Sequence, residues 1–185
     1  AKEFRDGLRN RWVVGATLLL AALAFALAFL GSSPVGLLDV SPLAVTVVSI
    51  SSLTIFLVPL IALLLGYDSI VGEAERGCLL LLLTYPVSRL EIILGKFLGH
   101  AAILAVATLV GYGAAGVASA WTGSADTESL RAFAGLLFSS VLLGLAFLAL
   151  ATLVSVAVSE RSTAAGIAVG LWLLFVIVYD LALMG

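Results

Sequence analysis

The sequence predicts an all-α integral membrane protein, a helical bundle of five visible transmembrane spans with a cytosolic N-terminus. Three observations carry this reading. Hydrophobic residues make up 63% of the chain and charged residues only 11%, where soluble domains carry about 25% charge. Apolar runs long enough to cross a bilayer recur along the chain, and the mean hydropathy is +1.26. The basic residues are one-sided: with five alternating spans, eight of the nine Lys and Arg fall on one face and only Arg131 on the other, which makes the rich face cytosolic. The apolar excess excludes a soluble globular core and leaves one membrane domain over residues 1–185.

Residues 1–12 read as an interfacial helix. Phe4, Leu8 and Trp12 recur at a spacing of four, on one helical face, and Lys2, Arg5, Arg9 and Arg11 fill the rest. A solvated basic terminus is the alternative. Residues 13–30 form the first span, roughly 27 Å as a helix. Ala26-Leu27-Ala28 resembles a signal-peptidase site, but further spans follow it. A turn-rich loop leads to the second span, residues 43–66. Its outer half carries Thr46, Ser49, Ser51, Ser52 and Thr54, and Pro59 should kink it. Those hydroxyls read equally as the lining of a pathway or as groups bonded back to their own helix.

The third span covers residues 97–121, the fourth 132–158 and the fifth 163–184. Gly95 and Gly99 form a GxxxG at the start of the third, and Gly111 continues a row of small residues. Gly166 and Gly170 form another in the fifth. Such glycines let helices approach closely, so all five are candidate helix-packing positions. Both ends of the chain look cut, and a sixth span is expected beyond Gly185.

Between the second and third spans lies the stretch from Tyr67 to Lys96. It carries charge, glycine, proline and a broken helical pattern together. The run Cys78–Leu83 is about 9 Å as a helix, too short to cross a bilayer. Thr84-Tyr85-Pro86 breaks it. The following helix should bury Val87, Leu90, Ile93, Leu94 and Phe97, with Ser88, Arg89, Glu91 and Lys96 pointing elsewhere. Ser88 and Pro86 compete for the start of that helix. Two short helices joined by a stiff break, each fixed to a span, suit a lever moved by a soluble partner. A plain interfacial loop fits the pattern equally.

The residues for chemistry are missing. One cysteine, Cys78, excludes an internal disulfide, and one histidine, His100, with no CxxC argues against zinc. There is no HExxH and no GxSxG. Gly95-Lys96 is not a P-loop, because Leu90 stands where the first glycine belongs and Phe97 where the hydroxyl belongs. Asp68 and Asp180 would lie at opposite ends of their spans, so they cannot form an aspartyl dyad. A secondary transporter would need an ion site at mid-membrane, and the spans are nearly free of charge. No catalytic, cofactor-binding or metal residue is therefore assigned.

Glu75-Arg76-Gly77-Cys78-Leu79, Leu82-Leu83-Thr84-Tyr85-Pro86-Val87-Ser88-Arg89 and Leu94-Gly95-Lys96 resemble the ABC-2 type permease family. So does the opening Lys2-Glu3-Phe4 with Leu8-Arg9 and Trp12. The resemblance is closer still to the branch that serves maturation of the copper sites of nitrous oxide reductase, on Pro59–Leu65, Ile70-Val71-Gly72-Glu73 and Gly99-His100. It implies six spans and a non-catalytic permease that pairs as a homodimer in the bacterial inner membrane. Such permeases work with a separate ABC ATPase subunit, which binds ATP and Mg, and this branch also with a periplasmic accessory protein. It implies contact with the ATPase by Glu73, Glu75, Arg76, Gly77, Pro86, Ser88 and Arg89. No nucleic-acid partner is implied. An exporter of a lipid or drug, or a membrane protein without an ATPase, is the alternative.

Overall fold

A computed structural model describes residues 42–77, 88–122 and 127–184, with Ala22 as a single isolated helical position. The expected interfacial helix and first span, and the Thr84-Tyr85-Pro86 break, lie outside the described residues. Five helices follow in order: α1 (Pro42–Gly66), α2 (Val71–Glu75), α3 (Arg89–Thr122), α4 (Thr127–Ala157) and α5 (Arg161–Met184). Among the described residues there is no strand. Four stretches are long and apolar enough to cross a membrane, those of α1 (running on into α2), α3, α4 and α5.

Helices α1, α4 and α5 cover the stretches expected as the second, fourth and fifth spans, α4 starting five residues early, at Thr127. The departure is largest at the third. α3 begins at Arg89 and runs 34 residues without interruption, roughly 51 Å of helix. The helix expected as a separate part of the connecting stretch is therefore the first two turns of the span itself.

The turns set direction. α1 and α4 run toward a shared end, where α3 and α5 begin. α1 and α4 thus lie parallel, and they make the most extensive contact in the bundle. Two glycines permit it. A Cβ on Gly66 would stand 2.6 Å from the Ala151 Cβ, and one on Gly144 would collide with Leu104 and meet Val58 Cγ1 at 3.0 Å. By contrast, a Cβ on Gly95, Gly166 or Gly170 would meet nothing within 4 Å. Neither Gly66 nor Gly144 is selected by the GxxxG spacing. Gly111 is buried and Gly99 half-buried.

The core has two parts. Ile50, Val58, Tyr112 and Leu136 form one. Ala62, Leu63, Ala101, Leu104, Phe147, Leu148, Ala151 and Ala168 form the other, nearer the shared end, with Phe97, Trp172 and Phe175 against it. Hydroxyls bond back to their own helices: the half-buried Ser51 donates to the Val47 carbonyl at 2.7 Å, and the buried Thr108 and Ser140 to Leu104 at 2.9 Å and Leu136 at 2.6 Å. Thr54 Oγ1 lies 2.7 Å from the Ile50 carbonyl and 2.9 Å from the Tyr112 hydroxyl, tying α1 to α3. At Ser51, Ser52 and Thr54 the back-bonded reading of the second span is the one seen.

Pro59 lies inside α1 without ending it. It has no N–H to give the preceding turn, which loosens the ladder there. Trp172 Nε1 of α5 donates to the Phe56 carbonyl in that turn at 2.9 Å. Phe56 also meets the Tyr179 ring edge-on, with centroids 5.8 Å apart.

Candidate functional site

The end where α1 and α4 stop and α3 and α5 start gathers Asp68, Glu73, Glu75, Arg76, Lys96, Glu160 and Arg161. Its centre is the five-residue helix α2. After Gly66 the chain leaves the helix through a turn over 67–70, then resumes as Val71–Glu75. A helix start exposes N–H groups with no partner in their own turn. Here a neighbour supplies the acceptor: Ser155 Oγ, at the end of α4, accepts from Ile70 N at 3.0 Å and Val71 N at 3.1 Å. Ser155 is 1% exposed, so water does not compete.

At Gly72 a Cβ would collide with the Asp68 carboxylate, so a larger residue there would displace that side chain. Gly77 is required by backbone shape. It has φ +71° and nothing near its Cβ position, and it follows the helix end at Arg76. That is the left-handed residue that commonly stops a helix. Its N–H donates to the Ala74 carbonyl at 3.1 Å.

Charged groups fasten α2 to its surroundings. Lys96 Nζ donates to Glu73 Oε1 at 2.6 Å, and the two side chains are 6% and 24% exposed. Arg161 Nε lies 2.8 Å from Asp68 Oδ1, an ion pair without hydrogen-bond alignment. The backbone N–H of Arg161, first in α5, donates to Glu75 Oε1 at 2.6 Å; a carboxylate there also suits the positive end of the helix. A shallow open depression of about 450 Å³ beside these groups is lined by Tyr67, Glu75, Arg161, Ser162 and Ala165.

The expected contact residues are thus in two groups. Glu73, Glu75, Arg76 and Gly77 lie on α2 and its exit, with Glu75 and Arg76 exposed. Ser88 and Arg89, both exposed, open α3. Pro86 is outside the described residues. Ser88 is the cap of α3 in a reciprocal box: Glu91 N donates to Ser88 Oγ at 3.2 Å, and Ser88 N donates to Glu91 Oε2 at 2.8 Å. This settles the competition with Pro86 over that helix start. From Arg89 to Lys96 is seven residues, so α3 extends roughly 10 Å past the level of the Glu73 pair.

One expected face is corrected. Leu90 and Leu94 are 65% and 48% exposed, and Lys96, expected to point outward, is 5% exposed. The inward side of α3 here is Ile92, Ile93, Lys96, Phe97 and His100, all half-buried or buried. Apolar periodicity fails as a guide because a membrane helix turns leucine toward lipid as readily as toward protein. His100 Nδ1 sits 2.8 Å from the Lys96 carbonyl, a local bond within α3.

Sequence reading did not select Lys96, Asp68, Ser155 or Arg161 as functional. Lys96 and Arg161 were visible as isolated charges beside apolar runs; Ser155 carried no signal. Asp180 lies 19 residues along α5 from the Arg161 that pairs with Asp68, roughly 28 Å away, so the two aspartates do not meet. Among the described residues no group of three His, Cys, Asp or Glu gathers to hold a metal.

The chain matches the ABC-2 family transporter proteins over residues 1–185. It is 50% identical over 185 residues to the probable ABC transporter permease protein NosY of Stutzerimonas stutzeri. It is 51% identical to the protein of the same name from Pseudomonas aeruginosa. Each match covers 99% of this chain and 67% of the relative. Such permeases are transport subunits, multi-pass proteins of the inner membrane. With four membrane-length helices and this similarity along its whole length, the chain belongs to the ABC-2 family of transporter permeases.

Proposed function

We propose that this chain is the membrane subunit of an ABC transporter that transmits motion from a separate ATPase to its own spans through residues 67–96. The observation that supports it most is the tethering of α2. This short helix, on the stretch whose residues resemble the family's coupling region, is bonded to α3, α4 and α5 at once. A push on α2 is thereby delivered to three long helices together.

In this reading the charged end faces the cytosol, as the distribution of Lys and Arg favours. The exposed Glu75, Arg76, Ser88 and Arg89, with Pro86, form the contact with the ATPase. ATP and Mg belong to that partner. A sixth span completes the permease, which works as a homodimer with a periplasmic accessory protein. The similarity to NosY supports a role in maturation of nitrous oxide reductase.

The test is co-purification of the full-length permease with its cognate ATPase, comparing wild type with Pro86→Ala/Arg89→Glu. Loss of the ATPase from a mutant still inserted in the membrane is the expected result. Undiminished capture removes the contact role from this segment, and no ATPase with wild type overturns the transporter reading.

A further inference from the structure

We propose that Glu73 and Lys96 form an electrostatic latch, which holds α2 against α3 in this arrangement and opens when the charged ends of the helices part. Only the opening step rests on the function proposed above.

Three observations carry it. First, the pair is buried on its cationic side, with the Lys96 side chain 6% exposed. Burying an ion pair gains little stability over a well-packed apolar pair, and its best-attested use is to fix one register or state. Second, the pair is incompletely satisfied: Glu73 Oε2 is buried with no hydrogen-bond partner among the described residues. A low-dielectric surrounding makes an incomplete polar network costly, so this arrangement is not uniquely favoured. Third, the pair joins a long helix to a short one that has non-helical backbone on both sides. Turn 67–70 lies on one side of α2, and Gly77, at φ +71°, on the other. Other ties around α2 among the described residues include the Ser155 hydroxyl, the Glu75 bond to Arg161 N and the partly exposed Asp68–Arg161 pair. Compared with the Asp68–Arg161 pair, the one at Lys96 has the more deeply buried cation.

Ser69 supplies the reporter. It is 7% exposed, and its Oγ has no partner among the described residues, so cysteine there removes no hydrogen bond. In full-length protein with Cys78→Ala and Ser69→Cys, labelling by a membrane-impermeant maleimide is followed in vesicles of both orientations. The latch predicts slow labelling in that background. It predicts a rate at least about tenfold higher with Glu73→Gln or Lys96→Met, since removing one member of a buried pair is strongly destabilising. It predicts protection regained in the swap Glu73→Lys/Lys96→Glu. Unchanged protection in both single variants overturns the latch. So does a swap as reactive as the singles, because packing loss alone would not be rescued by reversed charge. In the complex with its ATPase, labelling rises during ATP turnover; a flat rate in an assembled, hydrolysing complex overturns the opening step. Failure of the ATPase to assemble overturns the function proposed above and leaves the vesicle comparison as the test of the latch.

Discussion

Ser155→Ala is the substitution from which the structure predicts most. The side chain is small, so little packing is lost. What is lost is the acceptor for two backbone donors, Ile70 N and Val71 N, at 3.0 and 3.1 Å. Both residues are buried, at 8% and 1% exposure. A buried donor left without a partner costs about 1–3 kcal/mol. Two donors set a range of about 2–6 kcal/mol, and relaxation of the 67–70 turn recovers part of it. A loss of about 2 kcal/mol is expected, a thirtyfold fall in the folded-to-unfolded ratio. Thr152→Val is the control. Thr152 is also buried, but its hydroxyl donates only to the Leu148 carbonyl of its own helix at 2.8 Å. Its removal strands no group and is expected to cost under about 1 kcal/mol. Full-length protein in mixed micelles, titrated with sodium dodecyl sulfate and followed by far-ultraviolet circular dichroism, measures both. A Ser155→Ala protein within about 0.5 kcal/mol of wild type, or no worse than Thr152→Val, refutes the claim that this hydroxyl caps α2.

Two further outcomes follow from packing and from the polar seam. Gly144→Ala places a methyl group against Leu104 and Val58 where three helices meet, and should cost about 1–3 kcal/mol in the same titration; Gly166→Ala, with nothing within 4 Å, should not lower the midpoint, because alanine is the better helix former. Tyr112→Phe removes the hydroxyl shared with Thr54 but leaves Thr54 bonded to the Ile50 carbonyl, so a loss of about 1 kcal/mol is expected.

The membrane class was legible because composition alone leaves no alternative to a bilayer for so many apolar runs. Span positions followed from length, since α1 and α5 need only one crossing each. The start of α3 was harder to read. Ser88 and Glu91 carry the S-x-x-E spacing of a capping box, but Pro86 offered a rival start two residues earlier. The inward face of α3 was legible at Ile93 and Phe97 but not at Leu90, Leu94 and Lys96. Leu90 and Leu94, at 65% and 48% exposure, are as apolar as the residues that turn inward, so apolarity alone could not rank the faces. The ties that build the candidate site join residues far apart in sequence. Glu73 and Lys96 are 23 residues apart, Ile70 and Ser155 are 85. No local pattern links such pairs, and charge sidedness could say only that they share a face. Gly66 and Gly144 escaped because a glycine matters where two helices touch, and that place is set by the bundle rather than by spacing along one helix.

The bond from Trp172 to the Phe56 carbonyl gives the protein an optical property. An indole whose N–H is held by a fixed carbonyl in apolar surroundings emits at short wavelength, and it shifts to the red when water reaches it. The chain contains three tryptophans, Trp12, Trp121 and Trp172. Replacing the first two with phenylalanine would leave one tryptophan in these 185 residues, half-buried at the junction of α1 and α5. Its emission maximum would then report separation of those two helices in real time, without any attached dye.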